Sequence, residues 1–304
     1  MTDDTILNRY ADELTSVKYI TNPAIARDKE IKELILVLLT PEKSAILVGK
    51  PGIGKTAIVE GLAYLIQQKQ VPNALLGYRI FRVNTTALIG NDNKGENRVL
   101  KLVEELKTQD KVILFIDEIH TLIGNGTFDL ANMFKEGLSR GTIKMIGATT
   151  TYEYEKFILR DTAFNRRFDK VEVSEPTEDM CVQILLQTLP KIEYQTRVRM
   201  PYVPYVKEQI MRFVVNMTSE YKRVYELGSR YPDIALVLVR QMFSNAVYNN
   251  RKYVAFKDIY DAIRFTKVVY PDVIKKELVV FKETFKEELI YENIKVDPEN
   301  YLNN

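Results

Sequence analysis

Residues 49–56 combine glycines, a lysine and a threonine in an order and spacing that bind phosphate groups. Glycines let such a loop approach phosphate oxygens closely, and its N–H groups and the following helix start surround them with partial positive charge. The lysine contacts the β- and γ-phosphates, and the threonine hydroxyl binds Mg²⁺. We therefore predict a site for ATP and Mg²⁺, rather than a glycine-rich turn without a ligand, at Gly49, Pro51, Gly52, Ile53, Gly54, Lys55, Thr56 and Ala57.

Two carboxylates, Asp117 and Glu118, follow the apolar run at residues 112–116. An unbroken apolar run is typical of a central parallel strand, and open α/β sheets bind ligands at the carboxyl ends of their strands. In that position Asp117 can hold Mg²⁺ through water, and Glu118 can orient and polarise the attacking water. The alternative is an ordinary strand end with two solvated carboxylates, and the phosphate-binding pattern upstream disfavours it.

Three more polar residues are candidates for the same chemistry. Thr150 follows a predicted strand at 143–147, from which it can reach the γ-phosphate or its attacking water. Arg166 and Arg167 either form a salt-bridged structural pair or project toward a neighbouring subunit's γ-phosphate, as arginine fingers do. The residues alone leave both readings open.

Two reactive residue types receive simpler interpretations. His120 is interpreted as a polar residue at a helix start rather than a catalytic group, and Cys181 as a small hydrophobe on a helix.

The elements that must position these residues follow from the hydrophobic pattern. Five strand patterns alternate with helical patterns up to residue 174, which predicts an α/β fold: a three-layer sandwich with a five-stranded parallel sheet. Residues 5–21 begin with a helical pattern. The later part of the chain is predicted to be helical at 177–189, 204–222, 232–248 and 257–267. The expected domains are therefore 1–174, an all-helical 175–268, and a charged, partly helical tail at 269–304.

The composition excludes several other classes of protein. Hydrophobic residues make up 46% and charged residues 28%, as in an ordinary globular protein. A net charge of +2 is too small to indicate nucleic acid or an acidic membrane surface as the partner. The sequence lacks both a membrane-spanning apolar run and the basic start of a secretory signal, and its single cysteine cannot form an internal disulfide. We therefore expect a cytoplasmic protein without a membrane partner.

Longer stretches around these motifs resemble the AAA+ ATPases of the Clp/heat-shock unfoldase and disaggregase family. The resemblance covers most of residues 7–240 and is to the first of the family's two ATPase modules. It rests on residues 7–15, 22–31, 54–63, 113–121 and 147–150. It implies a P-loop NTPase fold with a small all-helical lid, ATP hydrolysis, and a hexameric ring or helical assembly of identical subunits that acts on a protein.

The resemblance also implies individual roles. Thr150 would be the first nucleotide sensor, and Ile25 would contact the adenine. Arg166 and Arg167 would be fingers that act on a neighbouring subunit's nucleotide, and residues 175–268 would be the lid.

The sequence departs from the family pattern at three positions. Asn93 stands where the family carries a substrate-gripping aromatic, Ile234 stands where a lysine is usual, and Ala26 replaces a glycine. An aromatic offers a flat apolar surface to a polypeptide, which asparagine does not. The sequence also contains none of the family's N-terminal, middle or second ATPase domains, so we expect it not to act alone as a disaggregase.

Three functional hypotheses follow. The first is an ATP-hydrolysing AAA+ subunit that remodels a protein partner or assembly. The second is an ATP-dependent loader or regulator in DNA replication or mobile-element biology, in which ATP binding is a switch. The third is a non-catalytic scaffold in a mixed ring.

Overall fold

The computed structural model describes five segments of the chain: residues 5–88, 98–122, 143–161, 165–228 and 230–292. The chain divides into two compact units, residues 1–174 and residues 175–304. Asn93 lies outside the described residues.

The first unit is built on a six-stranded sheet. Its strands are β1 Ala11–Glu13, β2 Ser44–Val48, β3 Arg79–Val83, β4 Val112–Ile116, β5 Lys144–Thr149 and β6 Phe168–Glu172. Their order across the sheet is β1-β3-β4-β5-β2-β6, and β2 to β6 pair in parallel. The five-stranded parallel sheet predicted from the sequence is therefore confirmed, with one strand added.

Helices cover both faces of this sheet. The first unit contains α1 Ile6–Tyr10, α2 Asp28–Leu39, α3 Lys55–Gln67, α4 Thr85–Leu88, α5 Arg98–Thr108 and the single-turn α6 Thr151–Glu153. Strand β4 is buried along its whole length. Its Ile113 and Phe115 pack in one core cluster, with α2 and α3, and its Leu114 and Ile116 pack in the other, with α5. This alternation explains why the strand reads as an unbroken apolar run.

The added strand β1 corrects the helical pattern expected from residue 5 onward. The helix ends at Tyr10, and β1 then pairs antiparallel with β3, placing Ala11 opposite Val83 and Glu13 opposite Phe81. Three residues are too few to show the period-two pattern of a strand, and only pairing with the distant β3 fixes them.

The second unit is all helical in its described part. Its helices are α7 Glu178–Thr196, α8 Pro204–Met217, α9 Asp233–Tyr248, α10 Phe256–Phe265, α11 Pro271–Thr284 and α12 Lys286–Tyr291. One apolar core joins them all. Ile234, at the position where a lysine is usual, is fully buried in this core.

Helices α11 and α12 belong to that core, although the sequence set them apart as a charged tail. Phe281 and Phe285 lie with their ring centroids 4.9 Å apart. The Phe213 ring on α8 is 5.4 Å from Phe281, and the Phe256 ring on α10 is 5.3 Å from Phe285. Most charged residues of α11 are exposed, whereas Glu277 is buried and pairs with Lys222 at 2.7 Å. These charges give the segment the composition of a tail, although one side of the helix is apolar.

None of the helices in the described part of the chain combines the length and apolar composition of a membrane-spanning segment.

Candidate active site

Three neighbouring strands bring most of the predicted site residues to one edge of the sheet. In the order β4-β5-β2, Asp117 follows β4, Thr150 follows β5, and the phosphate-binding loop follows β2. Parallel pairing places all three carboxyl ends on the same side.

The loop between β2 and α3 needs its glycines for two different physical reasons. A side chain on Gly49 would place its Cβ only 2.3 Å from the Val173 carbonyl oxygen and 2.4 Å from Ile53 Cδ1. Gly54 has φ of 98° and caps the N-terminus of α3. Other residue types rarely adopt that conformation, so these two glycines set the path of the loop.

Lys55 reaches back over this loop from the first turn of α3. Its Nζ donates hydrogen bonds to the carbonyl oxygens of Gly49 at 2.8 Å and Lys50 at 2.9 Å. Burial lowers the pKa of Lys55, against the opposing effect of the Asp117, Glu153 and Glu118 carboxylates. The ammonium group is therefore held against the loop that would cradle phosphates, where charged oxygens would be stronger acceptors than carbonyls.

Thr56 and Asp117 connect the loop to the acidic strand end. The Thr56 hydroxyl donates to Asp117 Oδ2 at 2.9 Å. Mg²⁺ in nucleotide sites is held by a hydroxyl and one or two carboxylates, with the phosphates and water completing its coordination. A hydroxyl and a carboxylate oxygen are suitable ligands for Mg²⁺, so Thr56 and Asp117 are the residues that would hold it.

Glu118 has an unusual backbone conformation beside Asp117. Its φ is 53°, a left-handed value that is uncommon for a residue with a side chain, and its N–H donates to Asp117 Oδ1 at 3.1 Å. The Glu118 side chain is exposed. Strained backbone of this kind clusters at functional sites, where it directs a side chain.

Thr150 lies at the start of α6, and a residue that the sequence analysis missed holds it there. The Glu153 carboxylate accepts hydrogen bonds from the Thr150 hydroxyl and, at 3.0 Å, from its backbone N–H. His120 Nδ1 lies 3.5 Å from the same carboxylate oxygen. The signal was present in the sequence, because a threonine followed three residues later by glutamate is the signature of a capping box.

Arg27 is a second residue that the sequence analysis missed. Its buried guanidinium pairs with Glu30 at 2.7 Å and donates to the carbonyls of Ile53 at 2.6 Å and Ser174 at 3.0 Å. It therefore fixes the phosphate-binding loop to the end of the first unit. Only the family stretch at 22–31 pointed to it.

The remaining nucleotide-binding candidates lie around the loop. Ile25 is buried just before α2, and Ala57 lies in the first turn of α3. Between Ile25 and Arg27, Ala26 has φ of 55°. Glycine is favoured at such a left-handed position, which explains why the family usually has glycine there.

Arg166 and Arg167 are not brought to this site within the chain. They precede β6, and the Arg167 carbonyl accepts a hydrogen bond from the Ser44 N–H at the start of β2. The phosphate-binding loop follows the other end of β2, about 16 Å away at the usual rise per residue. Arg166 is exposed, and Arg167 lies 3.8 Å from the Glu42 carboxylate.

The comparisons with known proteins agree with this geometry. Residues 45–175 match the ATPase family associated with various cellular activities (AAA). The chaperone protein ClpB of Aquifex aeolicus is 41% identical over 208 residues, which are 66% of this chain and 20% of ClpB. The ClpB of Staphylococcus aureus is 43% identical over 230 residues, which are 72% of this chain and 25% of ClpB. The chain therefore spans about a quarter or less of these relatives' length.

Solved structures of Hsp104 are similar over nearly all of the chain. Hsp104 with ATPγS and FITC casein has a TM-score of 0.71 and 33% identity, covering 94% of this chain and 48% of that one. The S. cerevisiae Hsp104-ADP complex has a TM-score of 0.73 and 35% identity over the same shares. The chain thus contains an ATPase domain of the AAA family that matches the first ATPase module of ClpB and Hsp104.

Proposed function

We propose that this chain binds and hydrolyses ATP with Mg²⁺ in an oligomer whose subunits complete one another's active sites, and that it remodels a protein partner or assembly. The observation that carries the proposal is the hydrogen bond between Thr56 and Asp117, which joins the phosphate-binding loop to the acidic strand end. The strand order supports it, because β5, which precedes Thr150, lies between β4 and β2.

Each residue has one task in this proposal. The loop N–H groups and Lys55 bind the β- and γ-phosphates, and Thr56 and Asp117 hold the metal ion. Bound Mg²⁺ would neutralise charge on the phosphates. Glu118 orients and polarises the attacking water, and Thr150 contacts the γ-phosphate or that water. Ile25 provides an apolar contact for the adenine.

Arg166 and Arg167 supply positive charge to a γ-phosphate outside their own subunit's site. Because they lie at the opposite end of β2 from the loop, they serve the γ-phosphate of a neighbouring subunit. This arrangement requires a ring, which we propose to be hexameric, or a helical assembly. A finger of this kind contributes on the order of 10³-fold or more to turnover.

A polypeptide is the partner class that the comparisons support. The solved structures similar to this chain include a complex of Hsp104 with casein. A net charge of +2 gives no electrostatic reason to prefer nucleic acid. We therefore propose a protein partner.

Phosphate release from ATP in the presence of Mg²⁺ tests the catalytic part of this proposal. The unaltered chain should turn over, and Lys55→Ala should neither bind nor hydrolyse ATP. Lys50→Ala is the matched control, since Lys50 is an exposed lysine of the same loop and the hydrogen bond it accepts from Lys55 is to its backbone carbonyl, which alanine keeps. Equal turnover by Lys55→Ala and the unaltered chain would reject the site.

Mixing two inactive variants tests the shared active site. The Arg166→Ala/Arg167→Ala variant lacks the fingers but keeps the phosphate-binding loop and Glu118. The Glu118→Gln variant keeps the fingers but lacks the carboxylate that polarises water. Mixed oligomers should recover part of the turnover, because some interfaces combine both intact halves. No recovery in oligomers shown by mass to be mixed would reject fingers that act between subunits.

Addition of unfolded protein or of DNA to the unaltered chain tests the partner class. Unfolded protein should stimulate ATP turnover, and stimulation by DNA but not by unfolded protein would reject a protein partner.

A further inference from the structure

The Glu153 carboxylate lies beside polar groups from two segments, residues 149–150 and His120, at the edge of the candidate active site. Its Oε2 accepts hydrogen bonds from the Thr150 hydroxyl, from the Thr150 N–H at 3.0 Å and from the Thr149 hydroxyl at 3.4 Å. His120 Nδ1 lies 3.5 Å from the same oxygen and 3.1 Å from the Thr149 hydroxyl. Glu153 is thus a third carboxylate in the region of Asp117 and Glu118.

The position of Glu153 gives it influence over bound phosphate. Thr150, to which Glu153 is hydrogen-bonded, follows β5. Strand β5 lies between β2, which precedes the phosphate-binding loop, and β4, which precedes Asp117. The Glu153 charge also acts on Lys55, as do the Asp117 and Glu118 charges. Any group that binds beside Lys55 and Thr150 is therefore within the electrostatic field of Glu153.

The hydrogen-bonding capacity of Thr150 turns this contact into a competition. A threonine hydroxyl has one proton to donate, and an ionised carboxylate can only accept. Thr150 donates that proton to Glu153 in this structure. The oxygens of a γ-phosphate are acceptors as well, so the hydroxyl cannot donate to the phosphate and to Glu153 at the same time.

We propose that Glu153 is a positioning residue that accepts the hydrogen bond of the Thr150 hydroxyl until a γ-phosphate replaces it as acceptor. Glu153 thereby weakens the binding of ATP relative to that of ADP. This inference rests on the proposed function, in which Thr150 contacts the γ-phosphate. Glu153 keeps the Thr150 N–H and His120 as partners when the hydroxyl leaves. The carboxylate therefore remains supported in both states, as a reversible contact requires.

Glu153→Gln tests the competition because it keeps the shape of the side chain and an acceptor oxygen but removes the charge. A charge-assisted hydrogen bond is roughly twice as strong as a neutral one, so the Kd of ADP divided by the Kd of ATPγS should rise about three- to tenfold. Equilibrium binding without turnover, measured by calorimetric titration, gives this ratio. Glu155→Gln is the matched control, since it removes the same charge from an exposed glutamate two residues away and should leave the ratio unchanged.

A double-mutant cycle separates the competition from a general electrostatic effect. In a Thr150→Val background, Glu153→Gln should leave the ratio nearly unchanged, because no hydroxyl proton is left to compete for. In a Thr150→Ser background, which keeps the hydroxyl, the rise in the ratio should return. An equal rise with valine at position 150, or no rise with the native threonine, would overturn the inference. If the unaltered chain bound neither ADP nor ATPγS, the proposed function on which this inference rests would be overturned instead.

Discussion

The two units of this chain use their buried interiors in different ways. The second unit has an apolar core in which aromatic rings from α8, α10 and α11 contact one another. The first unit has a core on each face of its sheet. At one edge of that sheet it also has the glycines of a tight loop, the left-handed backbone of Glu118 and the buried Arg27–Glu30 ion pair. The second unit buries charge as well, since Asp258 is fully buried and pairs with Arg251 at 2.8 Å. The two units therefore differ in the phosphate-binding pattern at this edge rather than in buried charge.

The difference teaches that stability and chemistry can be separated in this molecule. Substitutions in the aromatic core should change unfolding and leave nucleotide affinity nearly intact. Substitutions at the sheet edge should change binding or turnover, with small effects on unfolding unless the residue is buried.

Phe281→Ala should have the largest effect on stability. The ring is fully buried among Phe213, Phe256 and Phe285, so its removal leaves a cavity and should lower the free energy of unfolding by about 3–5 kcal/mol. Urea unfolding followed by circular dichroism measures this change. Val280→Ala, on the same helix with the side chain 44% exposed, should change it by no more than about 0.5 kcal/mol. Equal effects of the two variants would contradict the packing of α11 in the core.

Arg27→Ala should lower the free energy of unfolding by about 3 kcal/mol, since it leaves the Glu30 carboxylate buried without its ionic partner. It also removes the hydrogen bond to Ile53, so nucleotide affinity should fall together with stability. Joint replacement by Arg27→Met and Glu30→Leu should restore most of the stability but not the affinity. If the double variant regains both, Arg27 does not position the loop.

Ala26→Gly should raise the free energy of unfolding by about 0.5–1 kcal/mol, because glycine has no Cβ to strain the left-handed backbone at φ of 55°. Thermal unfolding of the two proteins at one pH measures this gain. Ala57→Gly, which places glycine inside α3 at a helical position, should instead lower stability. A loss of stability in Ala26→Gly would show that the strain is absent.

The stabilising contacts of the Glu153 carboxylate should appear in the pH dependence of the free energy of unfolding, and we expect this to be the smallest of the effects. Burial opposes its ionisation, but the hydrogen bonds from Thr150, the nearby His120 and Thr149 together hold the Glu153 pKa below its ordinary value of 4.5. A carboxyl with a lowered folded pKa stabilises the protein above its unfolded pKa, and that stability is lost as pH falls through the folded pKa. Glu153→Gln should therefore lose less stability than the unaltered chain between neutral pH and pH values below 4.5. Parallel pH profiles would contradict the contact.

Features of the fold and of the site could be predicted from the sequence when the residues that form them are close together in the chain. The loop at 49–56 and the carboxylates at 117–118 were predictable, because local patterns place each at the end of a strand and parallel sheets bring such ends together. Glu153 was readable too, as the end of a local capping box. The contact of Arg27 with Ser174 spans 147 positions, and no local pattern encodes it.

The same reasoning explains what the sequence left out at the two ends of the chain. Strand β1 exists because β3 offers it an open edge, and its own three residues carry no strand pattern. Helices α11 and α12 contain many charges, which suggested a tail, but the spacing of Phe281, Phe285 and Leu289 fits one buried face. The sequence predicted a partly helical segment here, but no local pattern shows which core its apolar face packs against.

The most direct test of the central claim is nucleotide retention by Glu118→Gln. That claim is that the sheet edge holding Lys55, Thr56, Asp117 and Glu118 hydrolyses ATP. After incubation with Mg²⁺ and ATP, the variant should retain bound ATP and release phosphate at least about 100-fold more slowly than the unaltered chain, because the amide cannot polarise the attacking water. Phosphate release by Glu118→Gln at the unaltered rate would contradict the account.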